Sequence, residues 1–126
     1  MDQAEAQRFV ESWLRAWNDH DVERVLAHFA DDAVFTSPVA AQLVPGSDGV
    51  IHGKSALRAF WGEGLRRIPD LHFELLGVYL GVDTLVINYR NQKGGLVSEV
   101  LRFDGSVVTE GHGTYVDQST VGLADE

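Results

Sequence analysis

The chain contains no cysteine in 126 residues, which excludes disulfides, thiolate metal sites and a cysteine nucleophile. Cations are scarce: 10 Lys+Arg against 19 Asp+Glu give a net charge of -9. That balance repels phosphate backbones and anionic membrane surfaces and leaves no basic stripe, so neither nucleic acid nor membrane is expected as a partner. The opening MDQAEAQ has neither a basic n-region nor an apolar h-region, and a reducing cytoplasm is the expected setting. No G-x-S-x-G, GxGxxG or Walker sequence occurs, and His20, His28, His52 and His72 show no HExxH or paired-ligand spacing. No metal or other cofactor is therefore expected.

What is present describes a packed globule. Apolar residues make up 44% of the chain, with three Trp and six Phe and no low-complexity tract, so one domain should bury about two-thirds of its unfolded surface. It is expected over residues 1–117, followed by a short acidic tail over 118–126.

Phe9, Val10, Trp13, Leu14, Ala16 and Trp17 recur at helical spacing across residues 3–17, and Asn18-Asp19 supplies a stop. Val22, Val25, Leu26 and Phe29 continue the pattern behind Asp21, a helix N-cap, to an expected end near Ala30. Residues 33–37 read as a strand. A long loop through Pro38, Pro45, Gly46, Gly49 and Gly53 then leads to a third helix with Leu57, Phe60, Trp61, Leu65 and Ile68 on one face, ended by Pro69. Residues 71–80, 85–91, 96–103 and 107–116 are strand-like and are separated by hairpin signals. Helices followed by an antiparallel meander imply an α+β domain whose curved sheet packs its concave face on the helices and can enclose a pocket.

On the third of these strands alternation places Val97, Glu99, Leu101 and Phe103 inward, and Ser98, Val100, Arg102 and Asp104 outward. Glu99 is the one charge on an apolar stripe, where burial raises a carboxyl pKa unless a partner offsets the desolvation. A two-residue Asp104-Gly105 turn would pair Glu99 with Glu110 and Val97 with His112, bringing a second carboxyl and an imidazole to the inner face. A three-residue Asp104-Gly-Ser106 loop would send both outward. On the other side, a Gly94-Gly95 turn would set Arg90 opposite Glu99, and a Lys93-Gly94 turn would set Asn88 there. The bland reading is a buried glutamate satisfied by Arg90 or a tyrosine hydroxyl. Gly111 and Gly113 mark close packing or a bulge, and Trp13, Trp17, Phe35, Phe60 and Trp61 read as core, some of which would line a pocket.

The segments NDHDVERVLAHFADDAVFTSP, IHGKSALRAFW and EVLRFDGSVVTEGHGTY, in this order of elements, resemble the nuclear transport factor 2-like (NTF2-like) superfamily, nearest its SnoaL-like polyketide cyclases and ketosteroid isomerases. The resemblance implies a cone-shaped NTF2-like α+β barrel, with three N-terminal helices packed on the concave face of a curved, mostly antiparallel sheet. It also implies a homodimer and an apolar pocket used for proton transfer or ring closure. Carried over residue by residue, the isomerase pattern places Ser37 where the base stands, Trp13 where a tyrosine stands, and Glu99 of EVLRF where a neutral acid stands. Serine cannot abstract a proton near neutral pH unaided, so classical steroid isomerisation is not expected. His112 falls where the isomerases carry a pocket-lining residue.

These readings converge on a cofactor-free enzyme acting on a small, largely apolar molecule with a polar head group, by proton transfer, cyclisation or addition of water. Glu99 and His112 would be its acid–base pair, Glu110 or Arg90 would tune them, Trp13 or Ser37 would hydrogen-bond the substrate, and Trp17 and Trp61 would line its site. The alternative is a non-catalytic ligand-binding or dimerisation module. An open cavity above ~300 Å³ reaching both Glu99 and His112 would favour the ligand site.

Overall fold

The computed structural model describes residues 1–121. Helix α1 (Gln3–Asn18) begins at Asp2, whose carboxylate accepts from the Glu5 N–H at 2.8 Å, and buries Ala6, Phe9, Val10, Trp13, Ala16 and Trp17 along one face. Helix α2 (Val22–Leu26) is capped by Asp21 as the sequence suggests, but it is shorter than expected. Phe29 and Ala30 already belong to strand β1 (Phe29–Thr36), because the His28 carbonyl accepts from Val108 N–H and Phe29 pairs with Val108 in the sheet. A distant strand overrides local helix periodicity there.

The expected loop between Ser37 and Gly53 contains two elements. Ser37 caps helix α3 (Pro38–Leu43), its Oγ accepting from Val39 N–H at 3.1 Å, and Pro38 occupies the first helical position, where its missing N–H costs nothing. Strand β2 (Val50–His52) then pairs antiparallel with β1. Helix α4 (Lys54–Arg67) buries Leu57, Phe60 and Trp61 and is followed by β3 (Glu74–Gly81), β4 (Thr84–Arg90), β5 (Leu96–Asp104) and β6 (Val107–Tyr115). Four α-helices, not three, thus precede the meander, with two strands interleaved. Of the acidic tail, Gln118–Thr120 form a 3-10 turn, and residues 122–126 lie outside the described residues.

The six strands form one mixed sheet in the order β2-β1-β6-β5-β4-β3, with β1 and β6 parallel and all other neighbours antiparallel. Helices α1 and α4 pack on its inner face, where Leu85, Ile87, Leu101 and Val108 are wholly buried. Each such side chain contributes about 1.5–3 kcal/mol of hydrophobic stabilisation. Asn18 ties the end of α1 to the start of the meander: its side-chain amide donates to Phe73 O at 3.0 Å and accepts from Phe73 N–H at 2.8 Å.

The turns set what the inner face carries. Between β5 and β6 the reversal falls on Gly105-Ser106, so Asp104 pairs with Val107 and Phe103 with Val108. Thr109 is then inserted as a bulge, after which Arg102 pairs with Glu110, Leu101 with Gly111, Val100 with His112 and Glu99 with Gly113. Glu110 and His112 are therefore on the outer face, contrary to the Asp104-Gly105 reading. Between β4 and β5 the connection spans residues 91–95, so Ile87 stands opposite Glu99, and neither Arg90 nor Asn88 does.

Candidate functional site

Glu99 is the one buried carboxylate among the described residues, flanked in the sheet by Ile87 of β4 and Gly113 of β6. Its Oε1 accepts a hydrogen bond from the Tyr89 hydroxyl at 3.1 Å, a diagonal contact set by the pairing of Tyr89 with Val97. Among the described residues Oε2 has no hydrogen-bond partner, yet it is not a sealed orphan. Glu99 helps to line a cavity of about 290 Å³.

Aromatic rings shape this cavity. Trp61 of α4 packs edge-on against Trp17 of α1 at 5.4 Å and Phe35 of β1 at 5.3 Å, and Phe73 lies 4.1 Å from the Tyr89 ring. Ser37 and Tyr115 add hydroxyls to the wall. Two glycines of β6 face this region for different reasons. At Gly111 a Cβ would lie 2.8 Å from Phe35 Cδ2, so the ring can sit against the strand only because the side chain is missing. At Gly113 a Cβ would meet Glu99 Oε1 and Ser37 Cβ at 3.7 Å, ordinary contact, so that glycine leaves space beside the carboxyl.

Burial pushes the Glu99 pKa up from 4.5 to about 7, the Tyr89 hydrogen bond opposing the shift. Tyr89 is raised as well, first by burial and then by the Glu99 charge, and so it stays a neutral donor. The carboxyl can therefore hold or release a proton near neutrality, in a water-poor site, without large cost in either direction.

The sequence-predicted residues divide cleanly. Glu99, Ser37, Trp17 and Trp61 meet at the cavity. Trp13 is buried behind its wall, against Phe73 and Tyr89, and does not line it. Arg90 is exposed and donates to Gly94 O at 3.1 Å, with Glu74 at 4.0 Å as its ion-pair partner. His112 bonds Thr36 Oγ1 at 2.6 Å and Glu110 Oε1 at 3.0 Å on the outer face. The cavity, about 290 Å³, thus reaches Glu99 but not His112, and it does not meet the condition set from the sequence for a ligand site spanning both residues. Tyr89 and Tyr115 were not singled out in the sequence; their signal was the inward parity they share with Ile87 and Val97. Among the described residues no group of three or more His, Cys, Asp or Glu could hold a metal ion, and no helix is long and apolar enough to cross a membrane.

Residues 10–117 match the SnoaL-like domain family. The chain belongs to that family. This SnoaL-like domain is similar to a SnoaL-like protein of unknown function from Burkholderia thailandensis, with 40% identity, 92% of this chain and 98% of that one covered, and a TM-score of 0.87. It also resembles a candidate polyketide cyclase from Sinorhizobium meliloti at 13% identity, covering 85% of this chain and 94% of that one with a TM-score of 0.71. AclR, a candidate hydroxylase from Streptomyces galilaeus, shares 20% identity over 99% of both chains with a TM-score of 0.70. The last two likenesses are of fold alone, the NTF2-like or cystatin-like α+β fold. No curated protein matches the chain.

Proposed function

We propose that this SnoaL-like domain is a cofactor-free enzyme that moves a proton on a small, largely apolar carbonyl compound, with Glu99 as the proton carrier. The observation behind the reading is a buried carboxyl held through Oε1 by Tyr89 and lining an aromatic-walled cavity of about 290 Å³. In the ionised form Glu99 would take a proton from the carbon beside the carbonyl and return it to the same or a neighbouring carbon, which is enolisation, isomerisation or the first step of ring closure. Ser37 or Tyr115 would hydrogen-bond the carbonyl oxygen as charge gathers there. His112, the partner that the sequence suggested, takes no part. Homodimerisation is part of the proposal on family grounds.

The test is exchange of α-protons of bicyclic ketones in deuterated water, followed by proton NMR. Exchange should exceed the buffer rate, rise with pH to a plateau above about 7, the Glu99 value, and fall roughly 10²–10⁴-fold in Glu99→Gln. A rate indifferent to that substitution removes the catalytic role. The second reading, a non-catalytic ligand-binding module, draws on the Tyr89–Glu99 hydrogen bond, which satisfies one carboxyl oxygen without chemistry. It predicts ligand affinity without exchange.

A further inference from the structure

The cavity has two chemically different ends. Its depth carries Glu99, and its mouth lies along the last turns of α4, where Gly64, Arg67 and Ile68 line it. Arg67 is the only cation among the lining residues, in a chain of net charge -9, and its side chain is 57% exposed.

Its guanidinium is only partly engaged by the protein. Glu63 is shared by two arginines: Arg66 reaches it with Nε and Nη2, whereas Arg67 donates only its Nε, at 2.7 Å. Glu63 is fully ionised, held near 2 first by Arg66 and then by Arg67, so one negative charge serves two positive ones. The Arg67 guanidinium is thereby anchored at Nε, while among the described residues its two terminal amines have no acceptor. A fork with two outward N–H groups matches a carboxylate.

Gly64, one helical turn before Arg67, also lines the cavity. A Cβ there would meet nothing within 4 Å, so a larger side chain at this position would extend into open space.

We propose that Arg67 selects ligands bearing a carboxylate at the end opposite the group that meets Glu99: an anionic head at the mouth, an apolar ring in the aromatic sleeve, and a polar proton-exchanging group in the depth. The inference rests on the cavity reading above and names its substrate class.

The test pairs p-coumarate with its methyl ester, which share the phenol and the ring and differ in the charge at the far end. Binding is read at neutral pH from the fluorescence of Trp17 and Trp61, which line the cavity. The acid should bind roughly tenfold more tightly than the ester, as a two-point charged contact at a half-exposed site allows. Arg67→Gln should erase that preference, bringing the acid close to the ester, and Gly64→Leu, which adds bulk to the cavity lining, should weaken both probes. Equal affinities in the unmodified protein, or an acid preference that survives Arg67→Gln, overturn the Arg67 inference and leave the cavity reading standing. Failure of both probes to bind, or binding indifferent to Gly64→Leu, also overturns the Arg67 inference, while the cavity reading is decided separately by the proton-exchange assay.

Discussion

The two faces of the β5–β6 ladder carry similar chemistry to opposite ends. On the inner face Glu99 is buried, bonded to one tyrosine, and its pKa is pushed to about 7 by desolvation. On the outer face Glu110 is 47% exposed and His112 33%, and they bond each other and Thr36 within reach of water. A carboxyl near an imidazole is the more familiar sign of a proton relay, yet here the solitary carboxyl is the one with a cavity in front of it. Burial, not the number of ionisable neighbours, is what raises the Glu99 pKa.

What separates the faces is one inserted residue, Thr109: if β6 ran on unbulged from the Gly105-Ser106 turn, Glu110 would stand opposite Leu101 and His112 opposite Glu99, both inward. Deleting Thr109 lets Glu110 follow Val108 directly, so the Arg102–Glu110 pairing is kept and both side chains stay outside. Deleting Gly111 breaks the comparison instead: with the bulge kept His112 falls opposite Leu101, and with the bulge lost Glu110 does. Burying either side chain uncompensated costs several kcal/mol, comparable to the whole stability of a domain this size. The expected outcome is loss of the cooperative unfolding transition in circular dichroism on deletion of Gly111 and a normal melt on deletion of Thr109; a Gly111 deletion that melts normally would show that this register does not keep the faces apart.

The next effect is smaller and has a sign fixed by pH. Below about pH 4.5 Glu99 is protonated in the folded and the unfolded chain alike; between 4.5 and about 7 the unfolded chain releases a proton that the folded one keeps, so stability falls as pH rises, and above about 7 the loss levels off. The shift from 4.5 to about 7 corresponds to about 3 kcal/mol. Glu99→Gln keeps an acceptor for Tyr89 and removes the ionisation. It should therefore stabilise the protein by up to this amount at pH 9 and by little at pH 4, as urea denaturation at the two pH values would reveal. Equal effects at both would mean that the carboxyl is not desolvated.

The difference between the faces also marks how far the sequence can be read. Strand alternation places Glu99 inward from β5 alone, because period two needs no knowledge of partners, and the structure agrees. Family motifs bring the same residue to the same place, together with the α+β fold that the chain shares with its relatives. What β6 contributes depended on a turn shifted by one residue and on a bulge, both small backbone choices that Asp104-Gly-Ser106 leaves nearly degenerate. The same limit applies to Arg90: Asn91 folds the connection by accepting from the Lys93 and Gly95 N–H groups at 3.0 and 2.9 Å, and that five-residue loop moves Arg90 away from Glu99. In α3 the proline was visible, but a proline reads as a breaker unless the serine before it is recognised as a cap. The inward side of Tyr89 follows within β4 from its alternation with Leu85 and Ile87, but its diagonal contact with Glu99 follows only from the β4–β5 register. Periodicity within a segment is legible; registers between segments are set by turns and distant packing.

The smallest expected effect tests the outer face itself. His112→Ala removes the hydrogen bonds to Thr36 and Glu110, which link β1 to β6 from outside. Both partners lie on the outer face and are only partly buried, so water can take up the bonds they lose, and the net cost should be about 1 kcal/mol rather than the penalty of a buried orphan. The cavity side of the same ladder is closed by Phe35 against Gly111, a contact that His112 does not touch. Turnover in the proton-exchange assay should accordingly match the unmodified protein, while the urea midpoint drops slightly. If His112→Ala instead slowed exchange as much as Glu99→Gln, the two faces would be coupled through β6, and the proton path would have to run across the sheet rather than within the cavity.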